Sequence, residues 1–206
     1  MLLSLKRSFR ILETGIVYLD SAAKSLTPVE VVKAMEQYYL ESNANAGRSV
    51  HRLSQIATDC IDTARGKIAD IVNATSEEII LVRNTTEAIG IVYHGLQWNH
   101  GDEIVTTYGE HHSNYLPWLR LQEKSGVRVI AVHPERDGTL NLEDFEKAIS
   151  PGKTKLVALA HVSNTLGAIV PVREVCSLAR QAGALSLIDG AQSVPHIQTD
   201  VKKNWL

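Results

Sequence analysis

The sequence has little of several features that mark specialised classes of protein. Only two of its 206 residues are cysteines, Cys60 and Cys176, and they lie far apart in the chain. Two distant cysteines argue against a disulfide-stabilised secreted scaffold, so we predict a protein of the reducing cytoplasm. The formal net charge is only -2, which gives no electrostatic basis for binding nucleic acid or an anionic membrane surface.

Long apolar segments are also missing. No apolar run approaches the ~18 residues that a membrane-spanning helix needs, so we expect no membrane partner. The first ten residues carry basic side chains, but no apolar stretch and cleavage site follow them, so we predict no signal peptide. The chain has no internal repeat and no low-complexity tract.

The sequence does contain a regular alternation of short apolar runs and helical patterns. Runs typical of buried strands cover residues 79–82, 103–107, 127–132, 155–160 and 184–189. Strands that alternate with helices at this spacing form a mostly parallel sheet with helices on both faces. We therefore predict an α/β fold of three layers, helix, sheet and helix. Cys60 and Cys176 fall inside helical patterns, where we expect both to be core residues.

One apolar run, residues 184–189, ends abruptly in Asp189, which is followed by Gly, Ala and Gln192. Open α/β sheets present charged groups to ligands at the carboxyl ends of their strands. Buried carboxylates need a cation or strong donors. The run by itself leaves several roles open for Asp189: a helix cap, a metal or ribose ligand, or the partner of the protonated ring nitrogen of pyridoxal phosphate.

Three further loops also follow apolar runs, and they carry Thr85 with Thr86, His111 with His112, and Asn164. In a parallel sheet all such loops lie at one edge, so the side chains can converge on one ligand. The threonines suit either a phosphate at a helix start or a plain helix cap. His111 can either stack on a ring and transfer protons, or simply be a solvated loop residue. Asn164 can either donate a hydrogen bond to a ligand oxygen or serve only as a turn residue.

Several motifs in order resemble one enzyme group. They are Tyr-Leu-Asp-Ser-Ala-Ala (18–23), Val-His-Arg-Leu-Ser (50–54), Val-Arg-Asn-Thr-Thr-Glu-Ala-Ile (82–89), Glu-His-His-Ser-Asn-Tyr-Leu-Pro-Trp (110–118), His-Val-Ser-Asn-Thr-Leu-Gly (161–167) and Asp-Gly-Ala-Gln-Ser (189–193). From about residue 16 onward the chain resembles the class V aminotransferase group of fold-type I pyridoxal-phosphate enzymes. Within that group it is most similar to the SufS/CsdB-type cysteine desulfurases and selenocysteine lyases.

The resemblance implies a set of cofactor-binding residues. Thr86 and the backbone of Thr85 would hold the phosphate of pyridoxal 5'-phosphate. His111 would stack on the pyridine ring and act as the catalytic acid/base group. Asp189 would pair with the ring nitrogen, and the phenolic oxygen would be contacted by two amide side chains, those of Asn164 and Gln192. No metal is implied. The implied reaction converts an amino-acid substrate, L-cysteine, to L-alanine and leaves its sulfur as a persulfide on an enzyme cysteine.

The sequence also departs from this group. A Schiff-base lysine is expected about 26 residues after the strand-end Asp, near position 215, and the sequence given ends at Leu206. Lys202 and Lys203 are too close to Asp189 to be that residue. The persulfide cysteine and the arginine for the substrate carboxylate also belong to the second half of the family. Gly47-Arg48 stands where desulfurases of this group often have a His-Arg pair, which weakens the assignment of the substrate.

We therefore expect an N-terminal segment over residues 1–50, with a polar loop at 42–49, and an incomplete cofactor-binding domain over residues 51–206. The sheet should have an unpaired edge or exposed apolar surface, which favours association. The expected partner is a second copy of the chain, in a homodimer, or a complementing C-terminal half. A sulfur-acceptor protein is a further expected partner. The alternatives are a domain that keeps the fold without catalysis, or another activity of the group: aminotransferase, epimerase or kynureninase-like.

Overall fold

The computed structural model describes residues 6–48 and 50–204. By its internal contacts the chain divides into two compact units, residues 1–67 and 68–206. The predicted division at residue 50 stays a prediction. Along the described chain, no helix is both long enough and apolar enough to cross a membrane.

The first unit is helical. A 3-10 turn, Arg10–Thr14, precedes helix α1 (Val29–Gln37), which continues into a π-helical turn, Tyr38–Ser42. Helix α2 (Arg52–Val72) follows, and its last residues belong to the second unit, which begins at residue 68. The predicted loop between α1 and α2 is fixed by two bonds to α2, since the Ser54 hydroxyl donates to the Asn45 carbonyl at 2.7 Å and the Thr58 hydroxyl accepts from the Gly47 N–H at 2.9 Å. Ser49, within that loop, lies outside the described residues. The apolar stripe of α1 is exposed along its length.

The second unit is built on a parallel sheet of four strands in the order β2-β1-β3-β4. The strands are β1 (Glu103–Thr107), β2 (Arg128–Val132), β3 (Thr154–Ala160) and β4 (Leu185–Asp189). The helices are α3 (Thr85–Gly95), α4 (Leu116–Ser125), α5 (Leu142–Ala148), α6 (Val172–Gln181) and the short α7 (Val201–Asn204).

Alternating side chains of the strands make two separate cores. On one face, Ile104 and Leu156 pack with Trp118 of α4 and Ile89 of α3. On the other face, the neighbouring strand positions pack against α5 and α6; this second core includes Val105, Val157, Leu159, Phe145 and Val175. Successive strand residues point to opposite faces, and both faces are apolar because helices cover both. The predicted three-layer α/β fold is confirmed.

One predicted strand is wrong. Residues 79–82 are not part of the sheet, and the side chain of Ile80 is 77% exposed. A cleft of about 510 Å³ lies between this segment and β4, lined by Ile79, Ile80, Ser186 and Ile188 among others. A strand needs a neighbour that bonds to its backbone, and across this cleft the segment has none among the described residues. As a result, β4 is an edge strand of the described sheet.

The two cysteines differ in their surroundings. Cys176 of α6 is 5% exposed, and burial raises the pKa of its thiol, so the prediction of a core residue is confirmed there. Cys60 of α2 is exposed, and the prediction is wrong for it. Helical spacing gives the side of a helix on which a residue lies, but it does not say whether that side is covered.

Candidate active site

Three of the predicted site loops follow strands at the same edge of the sheet. The turn that contains His111 follows β1, Asn164 follows β3, and Asp189 is the last residue of β4. The fourth group, Thr85 and Thr86, begins α3 after the extended segment 79–82. Strand topology therefore brings three of these positions to the edge where α/β folds bind ligands.

The start of α3 presents unoccupied backbone donors. Asn84, and not a threonine, caps the helix: its side chain accepts from the Glu87 N–H at 2.9 Å. The Arg83 side chain and backbone bond to the Glu87 carboxylate, which lowers the pKa of Glu87. The N–H groups of Thr85 and Thr86 make no hydrogen bond within the described residues. Such N–H groups, with the positive end of the helix dipole, suit an anion.

His111 lies on the turn between β1 and α4, with an exposed side chain. Its Nδ1 accepts from the Ser113 N–H at 3.2 Å and lies 2.7 Å from the Ser113 hydroxyl. Because a backbone N–H can only donate, Nδ1 is the unprotonated ring nitrogen when the ring is neutral. Ser113 therefore fixes the ring tautomer and leaves the opposite nitrogen, Nε2, to interact with a ligand.

His111 and Thr86 line one groove of about 770 Å³ between α3 and α4. Tyr93, His112 and Arg120 also line this groove, which is within the volume range of small-molecule sites. Asp189, Asn164 and Gln192 do not line it. His112 belongs to a candidate loop of the sequence analysis but had no role assigned there, and Arg120 was not predicted, because an exposed side chain on a helix carries no local signal of the cavity beside it.

Asp189 is a buried carboxyl group, 7% exposed. Its Oδ1 accepts from the Ala191 N–H at 2.9 Å, and its backbone carbonyl accepts from the His161 N–H at 3.0 Å. It forms no ion pair with any described residue. Burial lowers the pKa of His161, so its ring favours the neutral form. A buried carboxylate without a cation is costly, and this position suits a ligand that brings a positive charge.

Asn164 and Gln192 are both half-buried residues of turns at this edge. The turn of Asn164 is closed by an isolated antiparallel bridge between Val162 and Ile169. The turn of Gln192 is closed by the Ser193 N–H, which donates to the Gly190 carbonyl at 3.1 Å. Both amides are therefore held by local turns that directly follow β3 and β4.

The sequence did not single out Glu110, whose carboxyl group is enclosed beside His111. It accepts from the Thr107 hydroxyl at 2.7 Å, from the Asn114 amide at 2.7 Å and from the Ala160 N–H. Burial, with a smaller contribution from the charge of Asp189, raises its pKa to about 7. The only signal in the sequence is a carboxyl group shortly after a strand, as at Asp189.

Taken separately, these groups suit an anionic part and a cationic part of a ligand. The donors at Thr85 and Thr86 fit the first, the buried Asp189 fits the second, and the exposed ring of His111 can stack on a flat group. Within the described part of the chain, no cluster of three histidine, cysteine or acidic side chains is placed to hold a metal ion.

Comparisons with known proteins identify relatives of this chain. A sequence model of the family described as Aminotransferase class-V matches residues 17–204. The chain is 45% identical over 208 residues to a probable cysteine desulfurase of Halalkalibacterium halodurans, covering 97% of this chain and 51% of the relative. It is 42% identical to an apo cysteine desulfurase of Thermococcus onnurineus NA1, with a TM-score of 0.90, covering 98% of this chain and 50% of that one.

A more distant structure shares the fold alone. It is a lysine-to-alanine variant of C-DES with glycine covalently linked to the PLP cofactor, 23% identical, with a TM-score of 0.85 over 97% of this chain and 52% of that one. The chain spans about half the length of all three of these proteins.

Proposed function

Because the chain belongs to the class-V aminotransferase family, we propose that it is the N-terminal half of a pyridoxal-phosphate-dependent cysteine desulfurase. The whole enzyme would convert L-cysteine to L-alanine and place the sulfur as a persulfide on one of its own cysteines. The observation that carries this proposal is the buried carboxyl group of Asp189 at the end of β4, without an ion pair among the described residues. The names of the 45% and 42% identical proteins support the desulfurase assignment.

In this proposal the start of α3 binds the cofactor phosphate. The N–H groups of Thr85 and Thr86 lack acceptors among the described residues, and two such donors with the helix dipole can hold a dianion. The Thr86 hydroxyl adds a third donor at the rim of the groove. Asn84 fixes these donors by capping the helix at the Glu87 N–H.

Asp189 would hold a proton on the ring nitrogen. Bound pyridoxal phosphate supplies an electron sink for the electron pair left on the substrate, and a carboxylate at its nitrogen keeps that sink effective. The burial of Asp189 strengthens this charge pairing, since water does not screen it. Asn164 and Gln192 would donate their amide N–H groups to the phenolic oxygen.

His111 would cover the ring and move protons at Nε2. Ser113 occupies Nδ1, so the exposed nitrogen is the one that exchanges a proton with the substrate. An imidazole titrates near neutral pH, which suits a group that both accepts and returns a proton.

We propose that residues 1–206 alone do not turn over substrate. Covalent attachment of the cofactor needs an amine nucleophile, and the resemblance places that lysine near position 215. The complementing C-terminal half of the protein would supply it, together with the persulfide cysteine, and the complete enzyme would form a homodimer and pass its sulfur to an acceptor protein. The exposed side chains of Ile80 and Leu185 beside β4 are surface that this half would cover.

The test is binding of pyridoxine 5'-phosphate, which keeps the ring and phosphate but has no aldehyde to react with surface lysines. We expect residues 1–206 to bind it in equilibrium dialysis and Asp189→Asn to weaken binding by about tenfold, equivalent to about 1.4 kcal/mol. The matched control is Asp144→Asn, an exposed carboxylate on α5. Equal affinity for Asp189→Asn and the control would refute the nitrogen contact, and no binding by the unaltered chain would refute the cofactor site.

A further inference from the structure

Glu110, a half-buried residue, joins three elements of the site through its carboxyl group. Its partners are the Thr107 hydroxyl at the end of β1, the Asn114 amide after the His111 turn and the Ala160 N–H at the end of β3. In the register of the sheet, Ala160 is the direct partner of Asp189. Glu110 therefore bridges the loop that carries His111 and the strand beside Asp189.

We propose that Glu110 is a positioning residue that holds the His111 turn on the ends of β1 and β3, and that it gives up its proton when a cation neutralises Asp189. The inference rests on the proposed function only for the identity of that cation, the protonated ring nitrogen of a pyridoxal phosphate.

The electrostatics of Glu110 follow from its neighbours. Burial is the main reason that its pKa is raised to about 7, and the negative charge of Asp189 raises it further. The three donors act in the opposite direction, because they stabilise the carboxylate. A cation at Asp189 removes the repulsion and leaves the donors, so the pKa of Glu110 falls, a larger fraction of Glu110 is ionised, and the released protons pass to solvent.

The other titratable groups on these elements do not replace Asp189 in this role. His161, next to Ala160, has its pKa lowered by burial, so it favours its neutral form. His111 and His112 lie on the turn with exposed side chains, where solvent screens their charge. A small cavity of about 20 Å³ beside Glu110 has room for one water molecule, which can relay the released proton towards solvent.

The effect is reciprocal. If a cation at Asp189 favours ionised Glu110, ionised Glu110 favours the cation by the same factor. Cofactor binding would then be linked to pH through a residue that does not touch the cofactor. A purely structural Glu110 would stabilise the turn without producing this linkage.

The first test is a carbon-13 NMR titration of Glu110 in the full 206-residue chain, with Glu110→Gln used to assign the resonance. We expect a midpoint near 7 in the unaltered chain and a lower midpoint in Asp189→Asn, because the repelling charge is gone. The same midpoint in both proteins would overturn the inference. This test needs no cofactor, so it decides the inference even if the proposed function fails.

The second test measures protons released on binding of pyridoxine 5'-phosphate, by calorimetry at pH 6.5 in buffers of different ionisation enthalpy. The unaltered chain should release more protons than Glu110→Gln, and Glu123→Gln, an exposed carboxylate on α4, should match the unaltered chain. Equal release in all three would overturn the inference. Absence of binding by the unaltered chain would refute the proposed function and leave the decision to the titration.

The positioning role has its own measurement. Hydrogen exchange at the Ala160 amide should accelerate at least about tenfold in Glu110→Ala, which removes its acceptor. Glu110→Gln keeps an oxygen there and should restore protection. Equal exchange rates in the alanine and glutamine variants would contradict a positioning role.

Discussion

Replacement of Glu110 by glutamine is expected to change how the stability of the chain depends on pH. In the folded chain the pKa of Glu110 is about 7, against 4.5 for an ordinary glutamate. Between these values the folded state binds more protons than the unfolded state, so stability falls as pH rises through the raised pKa. This difference in pKa between the folded and unfolded states corresponds to a change of about 3 kcal/mol in the free energy of unfolding, and about 2.5 kcal/mol of that change occurs between pH 5 and pH 8.

Glutamine mimics the protonated carboxyl group, because it can donate to the Thr107 hydroxyl while it accepts from the other donors. We expect Glu110→Gln to be more stable than the unaltered chain at pH 8 and close to it at pH 5. Urea unfolding at both values, followed by the fluorescence of the buried Trp118, measures the difference. Glu123→Gln controls for the loss of one negative charge. A Glu110→Gln stability profile parallel to that of the unaltered chain would refute the electrostatic account of this residue.

Two further predictions concern the scaffold. Leu159→Ala removes a fully buried side chain on β3 and should lower the free energy of unfolding by about 3 kcal/mol. Leu185 is 53% exposed on the edge strand, so Leu185→Ala should lower it by less than about 0.5 kcal/mol. Equal urea midpoints for the two variants would contradict the assigned core. Gly126→Ala brings a Cβ against the His100 ring at a φ of +66°. It should lower the melting temperature at least as much as Gly152→Ala, which has a similar φ of +75° and open space, and a smaller loss at Gly126 would contradict this expectation.

Much of the sheet could be predicted because its strands are continuous apolar runs between two helical layers. The predicted run 103–107 is β1, and the runs 127–132, 155–160 and 184–189 agree with β2, β3 and β4 within one residue. An apolar run does not specify its neighbour, however. Residues 79–82 have the composition of a buried strand, but they face a cleft beside β4. The local pattern therefore predicted a strand where the described sheet has none.

The candidate site was predictable where a residue follows a strand and less so where burial depends on distant parts of the chain. Asp189 ends β4 as expected, since its own apolar run leads to it. The carboxyl group of Glu110 is buried by contacts with Asn114 on the turn and with Ala160, fifty residues away on β3. No spacing in the sequence reports such a contact. Cys60 is exposed for a similar reason, since its helix buries Ala57 and Ala69 but leaves Ile61 and Ile68 exposed.

The assignment as half of a cysteine desulfurase is tested most directly by product analysis of a complete enzyme. Such an enzyme can be made by joining this chain to the C-terminal half of the Halalkalibacterium halodurans relative, which is 45% identical over the shared region. With L-cysteine, pyridoxal phosphate and an added thiol that reduces the enzyme persulfide to sulfide, we predict equal amounts of alanine and sulfide, and a loss of both in the Asp189→Asn form. Formation of a keto acid by transamination, without sulfide, would contradict the assignment and favour an aminotransferase.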